Sequence, residues 1–70
     1  MFQRWESQSR YYLIHVQEDL FGTTTLRRVW GDLSSARGGQ KLECLHPDEV
    51  AKRLALLAAQ RGRRGYHRIQ

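Results

Sequence analysis

"RRVWGDLSSARGGQK", residues 27–41, is the stretch on which the reading of this fold depends. The run that leads into it, "TTTLRRVW" (23–30), is β-rich in composition and puts Leu26 and Trp30 on one face with Arg28 between them. Trp30 and Gly31 close that run and Asp32 follows. "GDLSSARGG" (31–39) then has the small residues and the lack of periodicity expected of a loop. "QKLECL" (40–45) alternates again, so Leu42 and Cys44 are expected on the inner face and Lys41 and Glu43 on the other. Trp30 and Arg37 have two readings: they grip a ligand at the mouth of the loop, or they staple a hairpin.

Working outward, "YYLIHVQ" (11–17) alternates Tyr12, Ile14 and Val16 against Tyr11, Leu13 and His15. Both sets are fairly apolar, which is the pattern of a central strand. "EDLFG" (18–22) supplies turn chemistry through Asp19 and Gly22, and the hairpin-length links imply an antiparallel meander. After residue 45 the period changes. "HPDEVAKRLALLAAQRG" (46–62) opens with His46 as a weak cap, Pro47 at the first helical position, and Asp48 and Glu49 in the electropositive first turn. Val50, Leu54, Leu57 and Ala58 share a face, Leu56 lies off it, and Gly62 is expected to end the helix. "GYHRI" (65–69) reads as a short last strand with Tyr66 packing back on the sheet, whereas residues 1–9 show no pattern and are expected to be disordered. The expected fold class is α+β: residues 10–70 form one domain, a small curled antiparallel sheet of three to four strands crossed by one helix at about 47–61.

Seventy residues are enough for one small core. The net charge of +5 is concentrated at one end: residues 60–70 carry Arg61, Arg63, Arg64 and Arg68 with no acid, +4, against +1 for residues 1–59. Ten of the twelve cations are arginine, which forks onto phosphate and stacks on planar rings better than lysine. A basic patch with interleaved aromatics points to an anionic partner, nucleic acid first (DNA before RNA) or else an acidic protein surface. The alternative is a solvated, solubilising rim. Arg27, Arg28 and Lys41 stand on neighbouring strands, and only one of Arg27 and Arg28 can join a given face.

The single cysteine excludes an internal disulfide, and no apolar run is long enough to span a bilayer. With no secretory-type hydrophobic segment at its start, the chain is expected to be cytoplasmic and not membrane-bound. His15, His46, His67 and Cys44 include no closely spaced ligand pair, so no metal or other cofactor is expected. No nucleophile signature or glycine-rich strand-to-helix turn is present, and the expectation is a non-enzyme. His15 and Cys44 read as packing residues.

The order of these parts resembles the WGR domain, a module named for a Trp-Gly-Arg signature. "YYL" at 11–13, Trp30-Gly31, "GGQKLE" at 38–43 and "RGYHRI" at 64–69 carry the likeness, which covers about residues 10–68. The family includes the DNA-contacting domain of some poly(ADP-ribose) polymerases and small bacterial proteins. The resemblance implies this α+β fold and a role for Trp30 in packing against a nucleotide sugar at a DNA end. Two positions depart from the pattern: Asp32 stands where the signature has Arg, and Ser34 where a second Gly is usual. A carboxylate about 7 Å from a phosphate, at an effective dielectric of about 40, costs about 1 kcal/mol.

The resulting candidate nucleic-acid contacts are Trp30, Arg28, Arg37, Lys41, Arg61, Arg63, Arg64 and Arg68. Trp30 either stacks on a sugar or base or covers the sheet end with Leu26. The loop Ser34–Gly39 either cradles a phosphate with its amides, Arg37 gripping from the tip, or is a flexible hairpin loop. Binding would be largely sequence-independent, and the runner-up is a protein-interaction module of the same fold.

Overall fold

The computed structural model describes all residues 1–70. Five strands form one antiparallel sheet: β1 (Phe2–Glu6), β2 (Arg10–Glu18), β3 (Thr24–Asp32), β4 (Gly38–Leu45) and β5 (His67–Arg68), in the order β4-β3-β2-β1-β5. One helix, α1 (Val50–Arg63), follows a single 3-10 turn at Pro47–Glu49. The α+β class and the helix crossing one sheet face agree with the sequence reading, with one strand more than the upper expected number.

The extra strand is β1, and it corrects the expectation of a disordered residue 1–9 segment. Phe2–Glu6 pairs along its whole length with β2 and, at Trp5 and Glu6, with β5. Gln3 and Trp5 are buried. A polar residue at an inward position broke the alternation that would have marked a strand. The position is tolerated because the Trp5 indole Nε1–H donates to Gln3 Oε1 at 3.0 Å, so both buried polar groups are satisfied.

The register builds rows of side chains facing α1. Ile14 pairs across to Arg28, Val16 to Leu26, and Tyr12 to both Trp5 and Trp30. Trp5, Tyr12, Ile14, Leu26, Leu57 and Tyr66 are the buried apolar core. From the helix, Leu57 is buried while Leu54 and Ala58 pack at the margin of the core, and Leu56, off that face, is half exposed. β2 is the middle strand, as its two apolar faces implied.

Strand β4 corrects a second expectation. Leu26 is the cross-strand partner of Glu43, so Glu43 faces the helix, while Leu42 and Cys44 face solvent. The inward carboxylate is held by two arginines. Arg28 Nη2 donates to Glu43 Oε1 at 2.8 Å, and Arg53 of α1 pairs with Glu43 Oε2. Two cations brought in from another strand and the helix make this inversion stable, and neither is visible in the local pattern of β4.

At its start the α-helix begins three residues later than the expected 47: His46 Nδ1 accepts the Asp48 N–H and caps the 3-10 turn Pro47–Glu49, from which α1 continues at Val50. Its end lies slightly further on than expected. The helix runs through Gly62 to Arg63 and stops at Gly65, whose φ of 82° is in the left-handed region. There the Tyr66 N–H donates to the Arg61 carbonyl (2.9 Å) and the Gly65 N–H to that of Gly62 (3.1 Å), the paired bonds of a Schellman motif. This turn sends Tyr66 back onto the sheet and leaves it beside Arg61.

Candidate nucleic-acid interface

At the end of the sheet where β2 begins and β3 ends, the surface sinks into an open concavity of about 820 Å³. Its floor is aromatic. Tyr12 and Trp30 lie nearly parallel, ring centroids 6.2 Å apart and planes at 16°, and Tyr66 meets Tyr12 edge-on at the same separation. Trp30 remains 37% exposed. Its indole rests on Gly39, its cross-strand partner, where an added Cβ would come within 3.0 Å of the indole ring. A glycine opposite the tryptophan is therefore what lets the ring lie along the sheet and keep an outer face open.

The walls are cationic. Arg37 comes from the β3–β4 loop and Gly38 from the start of β4, Arg61 and Arg64 from the end of α1, Ser7 and Ser9 from the β1–β2 turn, Arg10 from the start of β2, and Arg28 from β3. Arg61 is the most constrained, its guanidinium 4.2 Å from the Tyr12 ring centroid and 5.1 Å from that of Tyr66. The Schellman turn explains this placement, since it fixes Arg61 and Tyr66 to one another through the backbone.

The side chains separate into free and committed cations. Arg37, Arg61 and Arg64 have no carboxylate partner. Arg28 is committed to Glu43, with Nη1 also 3.5 Å from the Tyr12 hydroxyl. Its Nε, like that of Arg61, is buried with no hydrogen-bond partner. Glu43 is held below the ordinary carboxylate pKa of 4.5, first by its hydrogen bond to Arg53, with the charges of Arg53, Arg28 and Lys41 adding to it and burial opposing. The same bond raises the pKa of Arg53.

Asp32 lines the concavity but its charge is partly engaged. Its Oδ1 is 3.6 Å from Arg10 Nε and its Oδ2 accepts the Ser35 hydroxyl at 3.0 Å. Its own N–H donates to the Arg37 carbonyl at 3.1 Å, so Asp32 fastens the loop that carries Arg37. Gly31 and Gly38 are paired across this neck, where the backbones approach too closely for a side chain.

Of the residues singled out in the sequence, Trp30, Arg28, Arg37, Arg61 and Arg64 line this concavity together. Three do not. Lys41 shares the face of Arg28 one strand further out, Arg63 is exposed on the last helical turn, and Arg68 lies on β5 with its Nε donating to the Gln70 carbonyl. Sequence reasoning missed Arg10, Tyr12 and Tyr66 as site residues. Arg10 belonged to the segment boundary of an unseen strand pair, and the two tyrosines read only as core.

Compared with known families, residues 1–70, the whole chain, match the WGR domain. The chain belongs to the WGR family. WGR domains are a family of nucleic-acid-binding modules, small and of binding type, not catalytic by themselves. The match takes in β1, which lay outside the stretch carrying the sequence resemblance. Comparison with curated proteins and with solved structures gives no match. In this WGR domain no group of three or more His, Cys, Asp or Glu is placed to hold a metal ion, and no helix is long and apolar enough to cross a membrane.

Proposed function

We propose that this WGR domain is a non-catalytic DNA-binding module of low sequence preference, and that the concavity around Trp30 is its contact surface. The observation that carries this reading is the convergence of three uncommitted arginines, Arg37, Arg61 and Arg64, around an indole with one open face. Arginines with no carboxylate partner are available to phosphate oxygens, and a half-open indole packs on a sugar or base, worth about 1–3 kcal/mol per stacked base. Arg10, only loosely held by Asp32 at 3.6 Å, is a fourth phosphate ligand. Contacts to phosphate and sugar carry no sequence information directly, which is the basis for the low sequence preference.

The test is affinity for a labelled short duplex and a single strand across a salt series. Three or four phosphate contacts give a slope of log affinity against log salt of about −3 on duplex. Replacing Arg37 and Arg64 together by Gln is expected to flatten the slope by nearly two units. A slope near zero in the unchanged protein refutes the reading. A second reading, a protein-docking module, draws on the opposite sheet face, where Phe2, Leu13, His15, Arg27 and Val29 line a shallow, mostly apolar cleft with no helix over it. Binding through that face would be nearly salt-independent.

A further inference from the structure

The far end of the molecule has the opposite character. The β2–β3 hairpin ends in Asp19-Leu20-Phe21-Gly22, and Leu20 is 100% and Phe21 92% exposed. This tip is built, not frayed. Asp19 Oδ1 accepts the N–H groups of Phe21 and Thr23, both at 2.9 Å, and Gly22 takes the left-handed turn with φ 80°. The turn chemistry comes from Asp19 and Gly22, so Leu20 and Phe21 are not needed to make the turn. They are large apolar side chains held out in water on an ordered support.

Acids surround them. Glu18 pairs with Thr24, Thr24 pairs with Leu45, and Asp48 and Glu49 follow in the 3-10 turn, so four of the seven acidic residues lie at this end. Lys52 is the nearest cation along the helix. Eight residue steps of about 3.3 Å separate Arg10 from Glu18, roughly 26 Å. In a molecule 38 Å long, the acidic apolar tip and the basic aromatic concavity occupy opposite ends. A single chain therefore cannot bring the two together.

We propose that the concavity, when it holds no nucleic acid, takes the Glu18–Phe21 tip of a second copy of this chain. Phe21 packs against the open face of Trp30, and Glu18 and Asp19 face the uncommitted Arg37 and Arg64. Donor and acceptor surfaces are different patches, so the contact is head-to-tail and propagates into chains. The buried surface is small, which places the pairing in the weak, transient class and makes it concentration-dependent. Nucleic acid occupies the same arginines and disperses the chains. That competition rests on the function proposed above, whereas the pairing of two copies does not.

The experiment is sedimentation of the full chain at low salt from about 10 μM to about 1 mM, the range in which weak contacts populate. The parent mass is expected to rise with concentration and to fall back when salt is raised. A tip variant, Leu20→Ser with Phe21→Ser, touches no core residue and is expected to weaken association at least about tenfold. A concavity variant, Arg37→Glu with Arg64→Glu, is expected to do the same. Mixed, the two variants retain one intact donor and one intact acceptor, and are expected to form a dimer that stops there. A parent that stays monomeric, a tip variant that associates like the parent, or a mixture that fails to pair overturns the proposal. Adding a short duplex separates the two readings: a duplex that does not bind the parent refutes the proposed function and leaves the pairing result standing.

Discussion

Replacing Glu43 by Gln is expected to move stability and nucleic-acid binding in opposite directions. Glu43 is 15% exposed at its side chain and bridges Arg28, 18% exposed, to Arg53, 38% exposed. Exposed ion pairs contribute about 0.2–1 kcal/mol, and breaking fully buried ones costs about 3–5 kcal/mol. This pair of bridges lies between those limits, so Glu43→Gln is expected to cost about 2 kcal/mol. In a domain of this size that lowers the thermal midpoint by roughly 8–16 °C. The pH dependence follows from the depressed pKa of Glu43. The unfolded chain takes up this proton at a higher pH than the folded one, so the contribution is complete above the ordinary value of 4.5 and is lost as pH falls through the folded value. The difference in midpoint between parent and variant is therefore expected to narrow below pH 4.5. At the same time the substitution releases Arg28 into the concavity. One additional phosphate contact steepens the salt slope by about 0.9. Thermal unfolding at several pH values, with a salt series on the same labelled duplex, reads both effects. A variant that loses stability with an unchanged salt slope refutes the claim that Glu43 withholds Arg28 from the ligand. An unchanged midpoint refutes the clamp itself.

Leu57 is the buried contact of α1 at 2% exposure, and Leu57→Ala is expected to cost about 2–5 kcal/mol by chemical denaturation; a negligible change would remove the helix from the core. Trp30→Ala is expected to weaken duplex affinity by about 1–3 kcal/mol with little change in midpoint, because the ring is 37% exposed; unfolding in place of weakened binding would favour the hairpin-staple role. Asp32→Arg removes the partner of Arg10 and adds a cation to the lining of the concavity, so titration is expected to show tighter binding and a salt slope steeper by about 0.9. Its effect on stability, measured alongside, is expected to stay below about 1 kcal/mol, as for other exposed pairs.

How much of this was legible in the sequence depended on whether the stabilising partner was local. β2 and α1 were legible because their apolar residues recur at the period of the element they form, and Pro47 and the acids after it mark the helix start within four residues. The Tyr66 return was legible as a short strand after the helix, although the turn that makes it is at Gly65 and not at Gly62. β1 was hidden because its inward Gln3 looks solvent-facing until Trp5 is seen to donate to it. β4 was read with its faces exchanged because the alternation of Leu42 and Cys44 outweighed a lone Glu43. The arginines that make Glu43 an inward residue are 15 and 10 positions away. In the concavity, Arg28, Arg37, Arg61 and Arg64 were legible by charge and Trp30 by its place at a strand end, whereas Arg10 was not, and Lys41, Arg63 and Arg68 lie outside it. Tyr12 and Tyr66 were assigned wholly to the core, because a ring that serves both core and site has the same sequence signature as one that serves the core alone.

The cage around Arg61 has a consequence for how tightly a small surface can hold a ligand. A free arginine loses rotamer freedom when a ligand fixes it, about 1.5–2 kcal/mol for a side chain of this length. Arg61 lies over Tyr12 and Tyr66 before any ligand arrives, and its backbone is fixed by the turn at Gly65. Most of that ordering entropy is therefore lost during folding, not during binding. Arg37, on the loop, has no aromatic ring beneath its guanidinium and loses its rotamer freedom on contact. Of two guanidinium groups with the same charge, Arg61 is the one whose attraction for phosphate is least offset.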